Sequence, residues 1–434
     1  MGRRIEGERC VQEIEYSPLP SQRKFHELDV KFKGFSGPIG SGKSQALCHE
    51  ALRLSYINAG RTGLLGAPTY PMLRDSTQQA LLEVLEENGI PYELNRSDNV
   101  LTLGDTRSRI LFRSLEEYER LRGTNLAWFG VDELTYTHEE SWLRLEGRLR
   151  DPKAVQLRGY AVWTPKGFDW VYRRFVKDAG EDYQVVFAKP AENKHVLRAA
   201  PDFYERLRRT YDDVFFRQEV LGEYLEPGTD RVYRNFSRER NLEGVSIRPN
   251  LPLLWALDFN VDPLCSVVAQ IVNGVVLVAD EIVLRRATTK EACEEFWNRH
   301  GRHTGPLIIY GDASGSRAQT AGSSDYRIIQ EYLSRAGRRD AEIRTLRGNP
   351  PVRDRVQLVN AKLLNAAKEI EIRIAPQCRK LVQDLEEVQY KAGSTVVEKD
   401  RRPELTHLSD ALGYLIWYEF GHQPRAGEQG RRLL

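Results

Sequence analysis

Eight consecutive residues, Gly37-Pro38-Ile39-Gly40-Ser41-Gly42-Lys43-Ser44, have the types and spacing needed to hold a polyphosphate. They fit the pattern G-x-x-x-x-G-K-[ST]. Glycines at 37, 40 and 42 let the backbone turn its N–H groups inward toward an anion, with Ser41 enclosed among them. A helix opening near Gly42 adds the positive end of its dipole. Lys43 is long enough to reach β- and γ-phosphates, and the Ser44 hydroxyl can ligate Mg²⁺. The expected ligand is ATP with Mg²⁺.

A second pattern belongs with the first. Leu126–Val131 is an apolar strand that ends in Asp132 and Glu133. Asp132 is placed to hold the metal through its water shell, and Glu133 to polarise an attacking water. Three further residues are candidates. Gln22, upstream of the loop, could pair with an adenine edge or simply stand in a surface turn. Thr164, ending the strand Tyr160–Trp163, could sense the γ-phosphate or close a strand. Arg122 could stabilise transition-state charge on a neighbouring subunit's ATP, or be one surface arginine among many.

The second half carries different chemistry. Asp258 and Asp312 interrupt apolar strands, and Asp410 lies on the helix Thr406–Trp417. Buried carboxylates without partners carry a desolvation cost of several kcal/mol each and would protonate. Gathered around two divalent cations, Mg²⁺ or Mn²⁺ about 4 Å apart, they become a device for phosphodiester hydrolysis. Asp262 and Glu281, near strand ends, are further candidates. The segments Asn349–Arg355 and Lys391–Arg402 could follow a DNA backbone or be solvated loops.

The elements that must position these groups alternate. Strands at about 30–35, 62–67, 126–131 and 160–163, with helices at 45–54 and 76–88, imply an α/β unit with a mostly parallel sheet. A hairpin turns at Gly104-Asp105, and Thr137–Glu140 reads as a capping box for a helix bearing Arg144, Arg148 and Arg150. Pattern quality drops at 226–250, the expected linker. Beyond it come three strands, the second and third joined by Asn273-Gly274, then a helix at 289–300, a strand at 307–312 and a closing helix. That is the order of an RNase H-like unit. The expected domains are therefore a P-loop (ASCE-type) ATPase at 1–225, a linker at 226–250, an RNase H-like nuclease at 251–420 and a polar, flexible tail at 421–434.

Composition adds limits. The 434 residues allow two to three domains, and a net charge of +2 leaves any basic channel to local clustering of the 64 basic residues. Five scattered cysteines with no C-x-x-C pair argue against a zinc module and suit a reducing cytoplasm. The sequence offers no membrane span and no signal-peptide core, so a membrane partner and secretion are not expected.

Taken together the motifs resemble a large terminase, the packaging motor of tailed phages. Gly37–Ser44 is similar to that family's phosphate loop, Trp128–Glu133 to its acidic strand and Thr164–Gly167 to its coupling segment. Ala256–Asn260, Tyr310–Gly315 and His407–Tyr414 resemble its three nuclease boxes. The resemblance implies an ATP-driven homo-oligomer, usually a pentamer, docked on the portal of a procapsid in the host cytoplasm. Its double-stranded DNA would be threaded inside and cut by the nuclease half, with a small terminase subunit selecting the genome. Some relatives carry an arginine within the phosphate loop. Pro38, Ile39 and Ser41 supply none, which makes Arg122 the preferred trans-acting finger, with Arg148 and Arg150 behind it. The alternative is a helicase or remodelling ATPase whose second half binds nucleic acid without cutting. A decayed scaffold is disfavoured, because the charged positions are intact.

Overall fold

The computed structural model describes residues 14–121, 123–225, 230–260, 262–316, 323–346, 348–391, 394 and 396–421. The chain divides into two compact units, one of residues 1–202 with 217–226, the other of 203–216 with 227–434.

The first unit is built on eight strands: β1 (Phe32–Ser36), β2 (Thr62–Ala67), β3 (Tyr92–Asn95), β4 (Val100–Leu103), β5 (Arg109–Ser114), β6 (Trp128–Val131), β7 (Arg158–Trp163) and β8 (Tyr183–Phe187). Their order is β3-β4-β5-β2-β6-β7-β1-β8. From β5 to β8 every pairing is parallel, while β3-β4-β5 is an antiparallel meander. β1 and β6 are buried along their whole length, as a parallel sheet covered on both faces requires. Ala46, Leu47, Ala51 and Leu54 of the helix Lys43–Ile57 pack with Leu65 and Tyr160 in one core, and Phe129, Trp142, Trp163 and Phe175 form another. Trp142 is fully buried and meets Phe129 and Phe175 edge-on, each at 5.0 Å. Cutting it back to alanine would cost about 3–5 kcal/mol. β7 lies between the strand that feeds the phosphate loop and the strand that ends in Asp132, the layout of an ASCE-type sheet.

Local departures have physical causes. The helix expected at 76–88 is a continuous helical stretch from Tyr70 to Glu87 whose middle, Leu73–Gln78, is wound as a π-helix. Gly89 (φ 60°) ends it, as its freedom from a Cβ allows. The capping box at Thr137 does not form. Its hydroxyl donates to the Leu134 carbonyl, the helix Glu139–Glu146 starts after His138, and Arg148 and Arg150 lie beyond its end.

The second unit holds β9 (Leu253–Asp258), β10 (Leu264–Val272), β11 (Val275–Leu284), β12 (Leu307–Gly311), β13 (Glu342–Arg344) and β14 (Ile372–Ile374), ordered β13-β12-β9-β10-β11-β14. β9, β10 and β11 are antiparallel, β12 is parallel to β9 and β13 to β12, which is the RNase H-like order with β14 added beside β11. Asn273 (φ 51°) and Gly274 (φ 81°) make the tight turn expected of that pair. The helix His407–Phe420 is buried over most of its length. The stretch expected as a linker contributes Val232, Tyr233 and Phe236 to this unit's core. Of the expected tail, residues 422–434 lie outside the described residues.

Candidate functional site

The phosphate loop follows from its glycines. Gly40 (φ 73°) and Gly42 (φ 81°) adopt a left-handed conformation that a side chain would strain, and Gly42 caps the helix Lys43–Ile57. Other parts of the unit brace the turn. The Gly37 N–H donates to the Trp163 carbonyl at 2.9 Å and the Ile39 N–H to the Glu219 carbonyl at 2.7 Å. Asn193 donates to the Gly40 carbonyl at 2.6 Å. Gln22 is 3% exposed, and its amide accepts from the Leu19 N–H and donates to the Gly42 carbonyl, both at 2.8 Å. Both ends of the Gln22 amide are thus held by the chain, and the residue braces the loop from the helix Pro20–Glu27.

Lys43, Asp132, Glu133 and Thr164 converge. The Lys43 ammonium donates to the Gly37 and Pro38 carbonyls at 3.0 and 3.1 Å and stands 3.9 Å from Glu133 Oε1. Glu133 has φ 47°, a conformation that costs a non-glycine residue about 1–3 kcal/mol and recurs at functional sites. The bend turns the chain at the end of β6, and the Thr164 N–H donates to Glu133 Oε2 at 3.4 Å. The Thr164 carbonyl accepts from Thr135 at 3.1 Å. Asp132 is 5% exposed; burial, then the Glu133 charge, pushes its carboxyl up to about 6, against the pull of the Thr77 hydroxyl at 2.8 Å. Ser41 Oγ is buried and has no hydrogen-bond partner among the described residues. A desolvated carboxylate, an orphaned hydroxyl and a lysine held by loop carbonyls fit a metal–polyphosphate, with Ser44 and Asp132 as the residues that would hold the metal.

Arg122 lies outside the described residues. The Arg148 carbonyl accepts from the Leu126 N–H at the opening of β6, six positions before Asp132, and Arg150 donates to Asn125. Both arginines stand at the opposite end of that strand from Glu133.

In the second unit the register pairs Gly311 with Leu257, so Asp258 and Asp312 sit side by side at the ends of two parallel strands. Both are nearly buried, and burial raises the Asp312 carboxyl above its usual range, with the charge of Asp258 adding to the effect. Ser314 donates to both Asp312 oxygens, at 2.9 and 2.7 Å. Asp258 Oδ2 lies 2.9 Å from His407 Nδ1 and accepts from Asn260 at 3.1 Å. Asp410, one helical turn beyond His407, is held otherwise. Arg355 Nη2 donates to Oδ1 at 2.6 Å and Lys399 Nζ to Oδ2 at 2.8 Å.

Among the described residues, no group of three acidic, histidine or cysteine side chains converges as a metal site. The expected acid trio is thus a neighbouring pair plus a third carboxylate neutralised by two cations, and as arranged the set does not fit a pair of divalent ions. Arg355 and Lys399, expected to follow DNA or sit in solvent, are those cations. Glu281 instead accepts from the Lys380 and Leu381 N–H groups at 2.9 and 2.7 Å, and exposed Asp262 stands 3.5 Å from Arg286.

Sequence reasoning missed His407 and Asp384. His407 precedes Asp410 by three residues, a spacing that puts both on one helix face and could have been noticed. Asp384 accepts from the Leu408 and Ser409 N–H groups, both at 3.1 Å, and burial pushes its carboxyl up to about 7. It caps the acid-bearing helix from a different helix, so no local signal marks it.

Residues 35–240 match the family model described as terminase large subunit, T4likevirus-type, N-terminal. Over those residues the chain is similar to the large terminase family. The large terminase of the thermophilic bacteriophage D6E has the same fold, with a TM-score of 0.65 at 17% identity over 92% of this chain and 99% of that one. A D6E large terminase structure in complex with ADP gives 0.64 at 17% identity, over 92% and 98%. The ATPase domain of the Thermus phage P74-26 large terminase is 22% identical over 48% of this chain and 95% of that one, with a TM-score of 0.40. No curated protein matches the sequence. The two-unit α/β architecture is that of a large terminase, and no described helix is long and apolar enough to cross a membrane.

Proposed function

We propose that the chain is an ATP-hydrolysing DNA-packaging motor with a nuclease half. The observation that carries the ATPase reading is the strained Glu133, held within 3.9 Å of Lys43 and touched by the Thr164 N–H. In this reading the loop N–H groups and Lys43 bind the phosphates, while Glu133 orients a water and takes its proton. Mg²⁺ would be held by Ser44 and Asp132 and would supply charge neutralisation on the phosphates. Thr164, joined to Glu133 on one side and to Thr135 on the other, passes a change at the acid into the segment after β7. Arg122 is the proposed finger in trans, with Arg148 and Arg150 as substitutes.

The match of residues 35–240 to the large terminase family model and the side-by-side Asp258 and Asp312 support duplex DNA as the substrate, threaded into a procapsid and cut by the second unit. The same match supports a portal protein, a small terminase subunit and a ring of like subunits as partners, with the host cytoplasm as the setting. A second reading, a translocating ATPase whose other half binds DNA without cutting, is favoured by the cations on Asp410. Plasmid degradation with Mg²⁺ or Mn²⁺ against a chelator separates the two. Cutting that Asp258→Ala abolishes supports the nuclease; equal cutting by parent and variant ends it. For the ATPase, Glu133→Gln should bind ATP and fail to turn it over. Undiminished phosphate release would reassign the base.

A further inference from the structure

One short segment of the first unit, 217–225, grips the ATP site at several points. The Glu219 carbonyl accepts from the Ile39 N–H at 2.7 Å, and a Cβ on Gly222 would stand 3.3 Å from Pro38 Cδ. The segment also lies against the chain that follows Thr164, since a Cβ on Gly167 would stand 3.2 Å from the Leu225 carbonyl oxygen. Its most telling contact is made by Tyr224. Trp163 Nε1 donates to the Tyr224 hydroxyl oxygen at 2.9 Å, and that oxygen is 3.0 Å from Ser36 Oγ, a contact in which either hydroxyl can donate.

Ser36 and Trp163 are buried partners at the ends of the parallel strands β1 and β7, and each is the last residue before a piece of the site. Gly37, after Ser36, opens the phosphate loop, and its carbonyl holds Lys43. Thr164, after Trp163, donates to Glu133. A single phenol oxygen therefore joins the side chains immediately upstream of the two stretches that hold Lys43 and Glu133 3.9 Å apart. The ladder between β1 and β7 sets the spacing of the strands and leaves open how the chain departs from their ends. Tyr224 supplies that second constraint. Its ring packs on Tyr172 and Phe168, with centroids 4.9 and 6.4 Å away, so ring and hydroxyl hold the same stretch of chain after β7.

We propose that Tyr224 is a positioning residue for ATP hydrolysis, its hydroxyl fixing the ends of β1 and β7 so that Lys43 and Glu133 are presented together to the γ-phosphate and the attacking water. This rests on the ATPase reading. Tyr224 acts through Ser36 and Trp163 and not on the nucleotide. Affinity, set by the loop N–H groups and Lys43, should survive its loss, while the chemical step, which depends on the placement of Glu133, should not.

The test measures three quantities on the full chain: kcat for ATP, the Kd of the slowly hydrolysed analogue ATPγS, and the melting temperature. Tyr224→Phe, which keeps the ring and removes the hydroxyl, should lower kcat about tenfold and leave Kd within about twofold of the parent. Ser36→Ala, which opens one of the two links, should lower kcat by less. The double variant should be no slower than Tyr224→Phe, because both changes break the same connection. Parent-like kcat in Tyr224→Phe, with or without a lower melting temperature, overturns the proposal and leaves Tyr224 a fold-stabilising residue. A change in Kd as large as that in kcat, or losses that simply add in the double variant, overturns it too. Should Tyr224→Phe fail to fold, Ser36→Ala decides: a lower kcat at unchanged Kd supports the proposal and a parent-like kcat overturns it. A parent that binds ATPγS and never turns over ATP overturns the ATPase reading itself, and the positioning role with it.

Discussion

Two acidic sites in one chain are built in opposite ways. In the first unit Asp132 and Glu133 are adjacent at the end of one strand, and Glu133 stands 3.9 Å from Lys43. Asp132 is buried against the Thr77 hydroxyl, and with Glu133 beside it two carboxylates share the charge of Lys43. In the second unit the acids come from three distant segments, and the last is doubly paired within 2.8 Å. The difference teaches that a motif local in sequence can carry stored electrostatic strain, because its backbone fixes it. A site collected from remote segments is instead shaped by whatever else those segments bring.

The largest effect that would break this contrast lies at Glu133. Replacing it or Lys43 should reduce steady-state ATP turnover roughly 10²–10⁴-fold. A loss below tenfold would remove the first site from the comparison. Next comes Arg355→Leu, which leaves Asp410 with only the half-exposed Lys399 as a partner and should cost about 3–5 kcal/mol in chemical denaturation. A near-neutral result would mean the buried pair is not holding the helix.

Asp132→Asn should go the other way. The native carboxyl, raised to about 6, binds its proton more tightly than the unfolded chain does. Stability therefore falls as pH rises from the unfolded value near 3.8 through 6, and the deficit is complete above that. The amide should recover on the order of 2 kcal/mol at pH 8 and nothing at pH 3, read from urea midpoints at both. The smallest effect belongs to Thr77→Val. Losing the hydroxyl that favours the ionised form should move the acid limb of ATP hydrolysis upward by about half a pH unit or less.

Much of the first unit was legible because its chemistry is local. The loop glycines, the strand ending in Asp132-Glu133 and the strand ending at Thr164 each declare themselves within ten residues. The bond from Gln22 to the Gly42 carbonyl was not legible, because its two ends meet only once the loop has closed. The second sheet's order was readable from alternating apolar strands and Asn273-Gly274. Its acids were found for the same reason, as charges in apolar runs. Their counter-ions were not, since Arg355 and Lys399 looked like any basic residue in a polar segment. Asp384 was invisible because it caps a helix that begins 23 residues later.

The chain's route has a practical corollary for anyone wishing to study the halves apart. Phe203–Phe216 is counted with the second unit, then Arg217–Glu226 returns to brace the phosphate loop through Glu219 before the chain leaves again. Asp212 pairs with Arg234 at 2.8 Å and bridges Asn365. A protease nick near 226 would consequently not release two self-sufficient pieces. The C-terminal product would lack the helix and the carboxylate that Arg234 needs, and an excised N-terminal piece stopping at 202 would lose the strap behind its phosphate loop.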